Sequence, residues 1–99
     1  MEGEAEARDH FGWDEIAPRA IHPVQVQMIE ALLYIGRPLT VGDFSRLFDG
    51  KPSTMALLHH VERLIRAGVL AVDGCEHIRG AKVRLLRLAR RSDQQNVDA

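Results

Sequence analysis

The sequence has little of several features that would indicate a membrane, secreted or disulfide-bonded protein. Its single cysteine, Cys75, excludes an internal disulfide. It contains no run of about 18 apolar residues, which a membrane-spanning helix would need. The amino terminus, MEGEAEARDH, is acidic and lacks the basic and then apolar order of a signal peptide. These absences predict a cytoplasmic protein without a membrane partner.

The motifs of common enzyme classes are also missing. The sequence has no glycine-rich phosphate loop, no paired carboxylates in a plausible cleft and no activated Cys-His arrangement. We therefore predict that the protein is not an enzyme and that it uses no cofactor.

Charge is distributed unevenly along the 99 residues, although the net charge is only −1. Residues 1–50 contain four Lys and Arg against nine Asp and Glu, whereas residues 51–99 contain nine against five. Six of the later basic residues fall within thirteen positions: Arg79, Lys82, Arg84, Arg87, Arg90 and Arg91. This density could neutralise nucleic-acid phosphates if the side chains share a face. The alternative is a basic strand and tail exposed to solvent.

The stretch from Pro52 to Leu70 predicts a helix and its exit. Ser53 can cap the first free backbone N–H groups and Gly68 suits a left-handed exit, so the helix covers about residues 54–67. One face is apolar at helical spacing and must pack onto other elements: Leu57, Val61 and Leu64. The opposite face carries Met55, His59, Glu62 and Arg66.

Two further helices are predicted before this one. Residues 24–35 are apolar over a wide arc, so this helix needs two packing partners, of which the second is another copy of the chain or the amino-terminal arm. The arm carries three large apolar side chains: Phe11, Trp13 and Ile16. Thr40 and Asp43 predict a reciprocal cap for a helix over residues 41–48. The short connection over residues 49–52 then predicts a helix-turn-helix.

A β-hairpin is predicted after the third helix. Residues 69–72 should pair with residues 81–88 across a loop over residues 73–80, in which Asp73-Gly74 is a turn signal. The alternation of apolar residues changes phase at Leu86, which predicts a bulge or an early end to the second strand. Residues 1–10 and 91–99 are predicted to be disordered acidic and polar tails, and residues 11–90 to form one domain with an amino-terminal arm.

The chain from Ala20 to Leu88 resembles the ArsR-like winged helix-turn-helix transcriptional regulators of bacteria. The matching segments are His22-Pro23-Val24-Gln25, Gly36-Arg37-Pro38-Leu39-Thr40, Pro52-Ser53 with His60-Val61, Leu64 to Leu70, and Arg79-Gly80-Ala81 with Arg87-Leu88. The resemblance implies a mainly α fold with a small β-hairpin wing, and homodimers that bind double-stranded DNA. The helix over residues 54–67 would enter the major groove and the wing over residues 69–88 would contact the backbone.

The resemblance directs attention to specific residues for DNA binding and for dimer formation. The candidate DNA-binding residues are Ser53, Thr54, Met55, Leu58, His59, Arg79, Lys82 and Arg84. The candidate dimer residues are Trp13, Val24, Met28 and Leu32.

The sequence departs from the family at four positions. Gln25 replaces an arginine, Met55 and Leu58 stand where serine is usual, and Glu62 stands where a basic residue is common. Two exposed apolar residues also suit a protein partner, so a protein-interaction module is the alternative function. A metal- or thiol-responsive repressor is a second alternative, with His59, His60, Cys75 and His77 as the residues to consider. Their spacing does not favour a shared ion, and no metal ligand is predicted.

Overall fold

The structure is a computed structural model in which residues 9–20 and 22–95 are described. These residues form five helices and a two-stranded antiparallel hairpin: α1 (Trp13–Ile16), α2 (Pro23–Ile35), α3 (Val41–Leu47), α4 (Thr54–Arg66), β1 (Leu70–Ile78), β2 (Ala81–Leu88) and α5 (Arg91–Gln95), with a 3₁₀ turn at Ala17–Arg19. The prediction of helices followed by a small hairpin is confirmed, and the arrangement is compatible with a winged helix. No helix in the described ranges is long and apolar enough to cross a membrane.

The predicted helix starts are formed by side-chain caps. The His22 imidazole accepts a hydrogen bond from the Val24 N–H at the start of α2, and the Ser53 hydroxyl accepts one from Ala56 at the start of α4. Thr40 and Asp43 form the reciprocal cap of α3, in which each side chain bonds the other residue's backbone N–H. Because a cap satisfies otherwise unpaired N–H groups, these short polar residues determine where each helix begins.

The core lies where α2, α3, α4 and the base of the hairpin meet. The predicted apolar face of α4 is fully buried in it, through Leu57, Val61 and Leu64. Burial of each such side chain contributes about 1.5 to 3 kcal/mol to folding. The other face of α4 is thereby left on the surface.

The hairpin is longer than predicted, because β1 continues through the segment expected to be a loop. Asp73 and Gly74 do not form the turn; they lie at a register shift, where Val72 pairs with Leu86 and Cys75 with Arg84. Two residues of β1 therefore oppose one of β2, as in a β-bulge, and Gly74 takes a φ of 90° there. The irregularity predicted for the second strand thus occurs in the first. Leu86 also pairs with Leu39 ahead of α3, and this bridge attaches the hairpin to the core.

The chain after the hairpin is ordered where a disordered tail was predicted. Arg91–Gln95 forms α5, which packs beside the amino-terminal arm. Asp9 accepts hydrogen bonds from the backbone and hydroxyl of Ser92, and Glu15 forms a salt bridge with Arg91. These partners are 76 to 83 residues apart, so a local sequence pattern could not indicate them. Of the predicted tails, residues 1–8 and 96–99 lie outside the described residues.

Arg87 connects three parts of the chain. Its guanidinium donates to both carboxylate oxygens of Asp93 in α5, at 2.8 and 2.9 Å, and to Asp73 in the bulge of β1 at 3.1 Å. These hydrogen bonds, the one to Asp93 above all, raise the pKa of Arg87. The bonds from Arg87, together with one from the Arg90 backbone N–H, lower the pKa of Asp93 to about 2. Arg87 is therefore a structural residue that fixes α5 and the bulge to β2.

Replacing Asp93 by Asn should destabilise the protein at neutral pH. Because the folded pKa is depressed, the ionised carboxylate favours the folded state; this contribution is complete above the unfolded value of 3.8 and is lost as the pH falls through about 2. We expect a loss of about 1 to 2 kcal/mol at pH 7, allowing for partial exposure of the carboxylate. Urea denaturation should show this difference shrinking as the pH is lowered towards 2.

Asp14→Asn is the matched control, because Asp14 is exposed in α1 and forms no salt bridge within the described part of the chain. It should change stability by less than about 0.5 kcal/mol. An equal effect of the two changes, or an Asp93→Asn effect that does not depend on pH, would contradict the role given to the Arg87–Asp93 pair.

Candidate nucleic-acid interface

The exposed face of α4 begins at its amino-terminal end. Met55 is 77% exposed and Leu58 is 37% exposed, which confirms that neither belongs to the core. The predicted polar contacts beside them are also exposed: Ser53, Thr54 and His59. The five residues predicted on this helix therefore share one accessible surface. It offers two apolar side chains and three with hydrogen-bonding groups.

Two of the three predicted hairpin residues lie at its tip. Arg79 and Gly80 form the turn with φ values of 52° and 80°, the pair of positive φ angles that suits the twist of a tight hairpin. Lys82 follows at the start of β2, opposite His77. Both basic side chains are exposed, and neither forms a salt bridge with any residue that the structure describes. Their charges are therefore available to an anionic partner.

The third hairpin residue, Arg84, is paired within the chain. Its guanidinium donates to the Glu62 carboxylate of α4 at 2.6 Å, and both side chains are partly exposed. The salt bridge connects β2 to the outer face of α4 and adds to the core contacts between these elements. Glu62 thus has a specific partner on this face. The two residues are 22 positions apart, and no sequence signal pairs them.

The basic run near the carboxyl end does not form one continuous basic face. Arg84, Arg87 and Arg91 are each held by an acidic partner in the same chain. Arg63, absent from the sequence-based set, is exposed on α4, four residues after His59. This helical spacing could have indicated it.

The predicted dimer residues have different environments. Met28 is completely buried and Leu32 nearly so, because both face the core of their own chain. As dimer contacts they are wrong, since they have almost no surface to offer. Val24 is partly buried against the same core, and only Trp13 is exposed. The arm covers part of this region itself, through the buried Ile16 and the packed Phe11.

A buried polar contact supports α4 from behind. The Gln25 side chain, 1% exposed, lies 3.1 Å from the His60 ring, and the His22 ring packs against His60 with centroids 4.6 Å apart. Burial lowers the pKa of His60, and the neighbouring His22, His59 and Arg63 lower it further. His60 and His22 thus have structural roles, His60 beside Gln25 and His22 at the start of α2. Gln25 therefore joins the start of α2 to α4.

The residues considered as metal ligands are not brought together. Within the described residues, no group of three or more His, Cys, Asp or Glu side chains is placed to hold one ion. Cys75 is exposed on β1, in the segment just after the bulge.

Comparison with known proteins shows a similar fold but assigns the chain to no family. No protein-family model matches the chain, and no curated protein matches it. The chain is similar to the crystal structure of M. tuberculosis Rv0081, with a TM-score of 0.56 and 21% sequence identity. The match covers 86% of this chain and 77% of that one. At this identity, the likeness shows a common fold alone.

Replacing Gln25 by Leu should weaken the attachment of α2 to α4. The change keeps the volume of the buried side chain but leaves the His60 ring nitrogen without its amide partner, which costs about 1 to 3 kcal/mol. Urea denaturation at pH 7.5, where a histidine with a lowered pKa is neutral, measures the loss.

The same substitution at Gln94, an exposed position of α5, provides the control. Gln94→Leu should alter stability by less than about 0.5 kcal/mol. If Gln25→Leu is as harmless as Gln94→Leu, the contact between the amide and the imidazole does not stabilise the fold.

Proposed function

We propose that the protein is a cytoplasmic DNA-binding transcriptional regulator with an ArsR-like winged helix-turn-helix fold. In this proposal α3 and α4 are the helix-turn-helix, α4 is the recognition helix, and the hairpin is the wing. The observation that carries the proposal is that α4 and the base of the hairpin pack into one core, while the Glu62–Arg84 salt bridge joins the outer face of α4 to β2. A helix and a wing must keep a fixed relation to contact the major groove and the flanking backbone together.

The exposed face of α4 is better suited to contacts with the shape and phosphate backbone of DNA than to extensive recognition of its bases. Ser53, Thr54 and His59 can hydrogen-bond to phosphates or base edges, and Met55 can contact a thymine methyl group. No arginine, lysine, asparagine or glutamine lies among the predicted contacts on this half of the helix. Sequence discrimination by α4 is therefore modest, and affinity depends on basic residues elsewhere.

The wing supplies the main electrostatic contact through Arg79 and Lys82. Arg84 contributes less, because a DNA phosphate would have to compete with the Glu62 carboxylate for its guanidinium. The salt bridge also limits the repulsion that an unpaired Glu62 would exert on the phosphate backbone. DNA binding by this chain should thus have a salt dependence set by few charges.

The double variant Arg79→Ala/Lys82→Ala should bind DNA with a weaker dependence on salt. Each phosphate neutralised adds about 0.9 to the slope of log affinity against log salt concentration, so loss of both contacts should reduce the slope by up to about 1.8. Fluorescence anisotropy with labelled duplex DNA at several salt concentrations measures the slope. Circular dichroism establishes that the variant remains folded.

A second double variant, Arg37→Ala/Arg90→Ala, removes the same charge from the surface beside the amino-terminal arm and should leave the slope unchanged. Equal slopes for the wild-type and hairpin variants would show that the wing is not the electrostatic contact. If the folded wild-type protein binds no DNA even at low salt, the exposed Met55 and Leu58 favour the other candidate function, a protein-interaction module whose partner covers this face of α4.

The proposed regulator is a homodimer whose interface differs from the residues predicted from the sequence. Tyr34 is 93% exposed near the end of α2, and it borders a largely apolar groove of about 720 Å³ between α2 and α3. Leu33 and Leu47, both exposed, line the same groove with Phe48. A protruding ring beside an apolar groove allows two copies to exchange the same contact about a twofold axis.

Replacing Tyr34 by Glu should dissociate the dimer, because it would place an unpaired charge in the desolvated centre of the interface. Sedimentation equilibrium at tens of micromolar should give a dimer for the wild type and a monomer for this variant. Ile78→Glu, at an exposed apolar position beside the hairpin turn, is the control and should remain dimeric. A monomeric wild type, or a dimeric Tyr34→Glu variant, would contradict this interface.

A further inference from the structure

A cleft opens between the amino-terminal arm, the carboxyl end of α2 and the base of the hairpin. Its volume is about 410 Å³, within the range of roughly 300 to 1,000 Å³ that is typical of small-molecule sites. Phe11 of the arm and Leu88 of β2, both partly exposed, contribute apolar walls. The cleft is separate from the outer face of α4 and from the tip of the hairpin.

Contacts within the chain hold the arm against the rest of the cleft. Two guanidinium groups pack on the Phe11 ring, with Arg19 at 5.3 Å and Arg91 at 4.9 Å from the ring centroid. The backbone of His10 pairs with that of Arg90, which fixes the arm to the chain leaving β2. The cleft is therefore formed before a ligand arrives, and binding would require little ordering of the protein.

Three arginines and one aspartate line this cleft, and their charges are not equally available. Arg87 is neutralised by Asp73 and Asp93, as described above. Arg90 forms no side-chain hydrogen bond or salt bridge with any described residue. Arg37 is 62% exposed; its guanidinium donates to the Pro38 carbonyl at 3.1 Å and lies 3.8 Å from the Asp43 carboxylate, which Arg46 also contacts. The exposed N–H groups of Arg37 and Arg90 thus remain accessible to an anion at this cleft.

We propose that this cleft binds an amphipathic monocarboxylate, with the carboxylate at Arg37 and Arg90 and an apolar body against Phe11 and Leu88. A guanidinium presents parallel N–H donors that match the two oxygens of a carboxylate. The apolar walls favour a ligand with an acyl chain or an aromatic ring over a small inorganic anion. The binding site is independent of the proposed DNA interface.

Isothermal titration calorimetry with the full chain and sodium octanoate tests this site. Octanoate should bind with a one-to-one stoichiometry per chain, while its uncharged counterpart octanamide should bind at least tenfold more weakly because it lacks the charge that the arginines recognise. Inorganic phosphate should also bind at least tenfold more weakly, because it cannot use the apolar walls. These comparisons use the wild-type protein, so they do not depend on the folding of any variant.

Arg37→Gln/Arg90→Gln should weaken octanoate binding at least tenfold. Arg63→Gln/Arg66→Gln removes two exposed arginines of α4, outside the cleft, and should leave the affinity unchanged. The proposal is overturned if octanoate does not bind at 5 mM, a concentration on the order of a weak ligand's dissociation constant. It is equally overturned if octanamide or phosphate binds as well as octanoate, or if the two double variants lose affinity to the same extent.

Discussion

Burial of one face of α4 is the constraint on which the rest of the structure depends. Leu57, Val61 and Leu64 have no exposed area, and the surrounding elements close over them. Because a helix can turn only one face to the core, this burial also determines which residues remain outside. Met55 and Leu58 are exposed for this reason, although both are apolar. The candidate interface is therefore a consequence of the way in which the core is packed.

Some basic residues form ion pairs within the chain and have a structural role, whereas others remain accessible to an anionic partner. Arg87 joins the bulge of β1 to α5, Arg91 joins α5 to the arm, and Arg84 joins the hairpin to α4. Each pair gives the fold a fixed relation between two elements, and each reduces the charge offered to an outside partner. Arg79 and Lys82 remain available at the tip of the hairpin, where no acidic residue of the described chain pairs with them. The available charge is thus smaller than the composition of the carboxyl-terminal half indicates.

The helices could be predicted because the signals that start and end them are local. Ser53, Thr40 and His22 cap backbone N–H groups two or three residues away, and Gly36 and Gly68 take the positive φ angles of helix exits. The sequence does not locate the bulge, because Asp73-Gly74 also suits a tight turn. The observed pairing of Val72 with Leu86 and of Cys75 with Arg84 places these two residues in a bulge of β1 and not in the turn. The hairpin register depends on the whole ladder and on the bridge from Leu86 to Leu39.

The sequence by itself determined the order of α2, α3, α4 and the hairpin, the buried face of α4 and the exposure of its predicted contacts, since these follow from helical periodicity and from caps within one turn. Only the tertiary structure decided that Met28 and Leu32 face their own core, that Arg84 is held by Glu62, and that a cleft forms beside the arm. The physical reason is the separation of the partners along the chain. Contacts between residues 22 to 83 positions apart are set by packing of whole elements, and no local pattern encodes which charges meet.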